Sequence, residues 1–180
     1  ESNRVARATS RPSWTLTAGL RYEEQESVFI YKTVAVNGTS EGEFSSLIPK
    51  VALDWKADED TLLYASVAKG FRAGGSNVDY SVGADPAYQR TFDPDEIWNY
   101  EIGAKTGLFD GLVTMNTAVF YIDWATIQID QAILNLLDPG NPSISFITVN
   151  GEDAHAYGIE ADFYVRPTDD LDITFGGSLV

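Results

Sequence analysis

From Trp14 to Tyr22 apolar and polar residues alternate without a misfit. Trp14, Leu16, Ala18, Leu20 and Tyr22 fall on one side of an extended chain, and Thr15, Thr17, Gly19 and Arg21 on the other. The oily side is graded, with aromatic rings at both ends and aliphatic groups between. A strand that crosses a bilayer needs that layout, because Trp and Tyr rest at the two headgroup levels while Leu and Ala face the tails. A half-buried strand of a soluble sandwich alternates equally well but has no reason to be graded.

The same two-residue period predicts strands near 13–31, 44–56, 61–72, 96–107, 112–130, 146–166 and 171–180. The connections alternate in kind. Lys56-Ala57-Asp58-Glu59-Asp60, Asp110-Gly111 and Pro167-Thr168-Asp169-Asp170 are tight reversals, where Asp and Gly supply the backbone angles and local hydrogen bonds. The stretches 32–43, 73–95 and 131–145 are long and rich in Gly, Asn, Ser, Asp and Pro. Short turns at one end and long loops at the other form the periplasmic and extracellular asymmetry of outer-membrane barrels. The fold class expected is all-β: an antiparallel transmembrane β-barrel, here an incomplete segment of about seven strands.

Strand by strand, the faces separate. Leu47, Val51, Leu53 and Trp55 oppose Lys50, Ala52, Asp54 and Lys56; Leu63, Ala65 and Val67 oppose Tyr64, Ser66 and Ala68. Trp98, Tyr100, Ile102 and Ala104 oppose Asn99, Glu101, Gly103 and Lys105. Tyr157, Ile159, Ala161, Phe163 and Val165 oppose Gly158, Glu160, Asp162 and Arg166, and Leu171, Ile173 and Phe175 oppose Asp172, Thr174 and Gly176. Lumen-facing charges are therefore expected at Arg21, Lys50, Asp54, Glu101, Lys105, Glu160, Asp162 and Arg166. An Arg or Lys facing lipid at mid-bilayer costs about 2–4 kcal/mol, so segregation this clean is not an accident. Two places resist the pattern. Lys69 has outward parity and must reach water at the interface, and both sides of the fifth strand are apolar toward its far end, with Val119 and Tyr121 against Phe120, Ile122 and Trp124.

Composition narrows the partners. The 180 residues are 44% hydrophobic and 12% aromatic, too rich in core-forming side chains for disorder. No run approaches the roughly 18–20 apolar residues of a spanning helix, which leaves barrel strands untouched. With 27 acidic and 12 basic residues the net charge is -15, which repels phosphate backbones and makes nucleic acid a poor partner. Cysteine is absent, and with it disulfides, thiolate metal sites and cysteine nucleophiles. The opening ESNRVARATSRPSW is polar, with no signal-peptide core, and is expected to be a connection.

Tyr64–Gly75 (YASVAKGFRAGG), then FDPDEIWNYEIGAKTGLFDG and LVTMNTAVFYIDWATIQI, then VNGEDAHAYGIEADFYVRP at 149–167 and LDITFGGSL at 171–179, resemble in order and spacing the barrel of TonB-dependent outer-membrane receptors. The resemblance covers most of 61–179; over 13–60 it rests on strand pattern. It implies active import of a scarce nutrient across the Gram-negative outer membrane, most often a ferric siderophore, with haem, cobalamin and oligosaccharides as other cargoes. It also implies partners: outer-membrane lipid, the remainder of the barrel, a plug, and the TonB energy-transducing complex acting on a short motif ahead of the plug. Neither plug nor motif is found in this chain, and residues 1–180 are expected to be a partial barrel domain from the later half, ending partway along a strand at Val180. Barrels of the family have about 22 strands. An open seven-stranded sheet in lipid would leave on the order of ten backbone groups unpaired at several kcal/mol each, so this piece is not expected to span a bilayer alone.

No enzyme is expected. His155, the single histidine, has no nucleophile or further ligand beside it in sequence and is read as an interfacial side chain. Glu101, Glu160 and Asp162 are read as solvated lumen charges, and the acidic turns lack the spacing of a calcium loop. No metal site or cofactor of the protein's own is expected, the transported iron chelate being cargo. Substrate-contact candidates lie in the 73–95 loop and at its base: Arg72, Asn77, Asp79, Tyr80, Tyr88, Gln89 and Arg90, aromatic, cationic and polar groups suited to an anionic chelate. Two other functions share the strand pattern, a passive porin and a soluble β-rich carbohydrate-binding module.

Overall fold

A computed structural model describes residues 11–32, 37–77, 91–135 and 143–180. The strands are β1 (Ser13–Lys32), β2 (Asn37–Lys56), β3 (Thr61–Arg72), β4 (Gly75–Ser76), β5 (Thr91–Phe92), β6 (Asp95–Leu108), β7 (Val113–Ala125), β8 (Gln128–Asn135), β9 (Ser143–Asn150), β10 (Ala154–Thr168) and β11 (Leu171–Leu179). Seven form one antiparallel meander in the order β1-β2-β3-β6-β7-β10-β11, while β4-β5 and β8-β9 are small ladders at its loop end. All three tight turns fall at the opposite end.

Three connections differ from the sequence expectation. β1 and β2 stay paired as far as Lys32↔Asn37, so all of 37–43 is strand and only 33–36 lie between the two. The expected strand 112–130 ends at Ala125. Thr126 adopts a positive φ of 51°, a left-handed conformation costly for a β-branched residue, and turns the chain out of the wall. The expected strand 146–166 likewise divides, with 151–153 between β9 and β10, and much of the expected 131–145 loop belongs to the β8–β9 hairpin. A two-residue period is the same in every sheet, so it marks an extended segment without saying which sheet the segment joins.

Register gives the faces their physical meaning. Val67, Tyr100, Tyr121 and Tyr157 align across β3, β6, β7 and β10, and Ile102, Val119 and Ile159 align one step nearer the turns. Trp14 stacks on Trp55 with centroids 5.5 Å apart and Phe163 on Phe175 at 5.0 Å, both toward the turn end. Among the described residues the only buried hydrophobics are Ala118, Ile133 and Ile147, whereas Leu16 is 69% and Ile102 60% exposed. A sheet with its large apolar side chains turned outward and almost no core of its own suits an apolar solvent on that side.

The apolar end of the fifth expected strand is explained by pairing. Val119 and Tyr121 join the outward rows, so Phe120, Ile122 and Trp124 lie on the inner face. Phe120 lies over its cross-strand partner Gly158, where an added Cβ would come within 2.8 Å of the ring. Tyr64 does the same over Gly103, where a Cβ would meet the Tyr64 ring at 2.5 Å and the Thr117 carbonyl at 2.6 Å. Both glycines let an aromatic ring lie flat along the inner wall. The outward exception Lys69 donates to Glu96 Oε1 at 2.6 Å, one row beyond the tyrosines on the loop side. No helix among the described residues is long and apolar enough to cross a membrane, which says nothing of strands.

Candidate functional site

Inner-face polar residues fall into two groups, along the wall and at its loop end. On the wall, Tyr64 Oη donates to Glu101 Oε1 at 2.7 Å, and Lys105 Nζ stands 6.0 Å from the Tyr64 ring centroid. Glu160 and Asp162 share this face on β10, while Lys50 lies on β2. Arg21 pairs with Glu23 on β1. At the turn end Arg166 Nε donates to Asp172 Oδ1 at 2.7 Å and its guanidinium stands 5.7 Å from the Tyr164 ring. Arg166 and Asp172 thus pair between the neighbouring strands β10 and β11, whereas Arg21 and Glu23 pair within β1.

At the loop end the central group is Asp95, 2% exposed on the first residue of β6. It lies directly across the sheet from Arg72, which donates to it with Nε at 3.1 and 3.2 Å and with a terminal nitrogen. The Gln128 amide donates to the same carboxylate at 3.0 Å. Trp124 lies beneath Arg72, 5.6 Å from its guanidinium. Burial alone pushes the Asp95 carboxyl up, but the hydrogen bonds from Arg72 and Gln128 and the Arg72 charge outweigh it and hold the group below the usual carboxylate range.

Of the seven substrate-contact candidates, Asp79, Tyr80, Tyr88, Gln89 and Arg90 lie outside the described residues. Arg72 and Asn77 are described, and both are engaged within the protein. Arg72 also reaches the Gln128 carbonyl at 3.1 Å, and Asn77 uses both ends of its amide on the Thr148 backbone, each at 2.8 Å. The sequence pattern does not single out Asp95, Gln128 or Asn150. The available signal was Asp95 at the start of a strand with the same parity as Glu101 and Lys105, following Pro94. His155 is outward, 3.1 Å from Asp123 and from Tyr121 Oη. Among the described residues no three His, Cys, Asp or Glu side chains gather as a metal site.

The family model of the TonB dependent receptor-like β-barrel matches residues 7–179. A curated relative, described as "Probable TonB-dependent siderophore receptor PiuA" of Acinetobacter baumannii, is 23% identical over 158 residues, 84% of this chain and 21% of that protein. The solved ferric yersiniabactin uptake receptor FyuA of Yersinia pestis superposes with a TM-score of 0.66 at 17% identity, over 92% of this chain and 24% of that one. The siderophore receptor PiuA of Acinetobacter baumannii superposes with a TM-score of 0.62 at 21% identity, over 92% of this chain and 23% of that one. The chain thus spans between a fifth and a quarter of the length of these relatives.

Proposed function

The chain belongs to the TonB-dependent receptor β-barrel family, and from that premise we propose that it is part of the barrel wall of an outer-membrane receptor that imports a ferric siderophore. The observation that carries this is the two-faced meander, with Leu, Ile, Val and aromatic side chains outward and Glu101, Lys105, Glu160, Asp162 and Arg166 inward. Outer-membrane lipid covers the first face. A plug and the remaining strands complete the second, and the TonB complex supplies energy through the plug. The relatives named above are described as receptors for a siderophore or for ferric yersiniabactin, which favours an iron chelate as cargo and transport without covalent chemistry. A porin or a soluble carbohydrate-binding module would share the alternation but not the family.

In this reading the inner wall holds water and plug, and the 73–95 loop carries the first contacts with the chelate. Asp79, Tyr80, Tyr88, Gln89 and Arg90 are proposed to touch it, with Arg72 and Asn77 holding the loop that presents them. The test is uptake of radioactive iron by a strain deleted for the full-length gene and supplied with catecholate, hydroxamate and mixed ferric chelates. Loss of uptake for one class, restored by the gene and abolished by a protonophore, is expected. Unchanged uptake for every class, or uptake indifferent to the protonophore, overturns the assignment.

A further inference from the structure

The two long loops arise from different hairpins, β3–β6 and β7–β10, yet side chains of each bond to the backbone of the other. Asn77 pairs with both the N–H and the carbonyl of Thr148, as a neighbouring strand would. Gln128 Nε2 bridges the carbonyls of Ala73 and Asp93 at 3.0 Å each. The Asn150 amide accepts from Asp93 N at 2.6 Å, and donates to the Asp93 carbonyl at 2.9 Å and the Thr126 carbonyl at 3.1 Å. Asp95 and Arg72 tie the base to Gln128 from below.

Thr126 shows how tightly this assembly is held. Its left-handed backbone survives because its N–H donates to Asp153 at 2.9 Å, its hydroxyl to the Pro94 carbonyl at 3.3 Å, and its carbonyl accepts from Asn150. A strained residue persists only where its surroundings over-determine it. Most of these links end on backbone atoms, so moving either loop alone strands polar groups of the other.

We propose that residues 72–77, 91–95, 126–135 and 143–153 move as one body: a fused module at the loop end of the wall, not two independent loops. Any opening or closing in this sector then carries these four segments together as a rigid body, hinged where the module meets β3, β6, β7 and β10. The receptor reading supplies only the extracellular side on which the module lies; the coupling itself rests on the bonds above.

The test uses the full-length protein, purified and without cargo, carrying nitroxides on cysteines introduced at Thr91 and Ile144, one on each loop and both exposed. Pulsed dipolar spectroscopy is expected to give one narrow distance distribution, broadened when Asn77→Ala and Gln128→Ala are combined. Hydrogen exchange gives an independent reading. Asn77→Ala should speed exchange by a similar factor, roughly tenfold, in 91–95 and in 128–134, segments that lie outside its bonds to Thr148. A broad distribution in the parent protein, or faster exchange confined to 75–77 and 147–149, overturns the proposal. Neither result depends on iron uptake, so failure here is distinct from failure of the receptor assignment.

Discussion

Asp95 is the residue on which the loop-end network converges, and its ionisation sets the network's pH range. Its folded-state value is depressed, so the stability it contributes is fully present above the unfolded value of about 3.9 and is lost as pH falls through the lower folded value. Hydrogen exchange in 126–135, corrected for intrinsic rates, should therefore stay constant from pH 7 to pH 5 and rise only below about pH 4. Asp95→Ala should loosen the same segment at neutral pH by about 1–3 kcal/mol. Arg72 is half-exposed and can turn to water, but the Gln128 N–H loses its acceptor. Protection factors in 126–135 measure that loss directly.

At the scale of the strand, close approach and sidedness decide what a substitution does. Gly103→Ala meets the backbone carbonyl of Thr117 as well as the Tyr64 ring, and backbone cannot swing aside. It should destabilise the full-length barrel by about 1–3 kcal/mol, whereas Gly19→Ala, with nothing within 4 Å, should be neutral or gain up to about 1 kcal/mol. Ile102→Arg places a charge in the middle of the outward face and should cost about 2–4 kcal/mol in lipid. Glu160→Gln on the inner face should stay within about 0.5 kcal/mol. Denaturant unfolding of the reconstituted protein ranks all four, and equal effects for Ile102→Arg and Glu160→Gln would remove the distinction between the faces.

For the whole molecule, the controlling fact is that the sheet is open. Among the described residues β1 pairs only with β2 and β11 only with β10, so each presents an unpaired edge. In hydrocarbon each unpaired backbone group costs several kcal/mol, and in water a long open edge invites another strand. The 180-residue chain expressed alone should therefore aggregate in plain buffer, and light scattering that finds a stable monomer contradicts this. In the full-length protein in vesicles, spin labels at Leu16, Ile102 and Ile159 should relax with dissolved oxygen and be shielded from a water-soluble nickel chelate. The reverse order of accessibility would move the lipid to the other face.

Alternation by itself determined the strand character of the chain, the outward row from Trp14 to Tyr22, the inward parity of Glu101 and Lys105, and the end at which the tight turns lie. Those properties follow from a side-chain period of two and from the cost of charge in hydrocarbon, both local in the sequence. Only the tertiary structure decided that β8 and β9 leave the wall, that Lys69 finds Glu96, that Phe120 covers Gly158, and that Arg72 and Asn77 are engaged in holding loops together. Each of those depends on a partner between 23 and 71 residues away, or on one left-handed residue at Thr126. A two-residue period carries no information about distant partners, and it reads the same in a barrel wall as in the hairpin that rises from it.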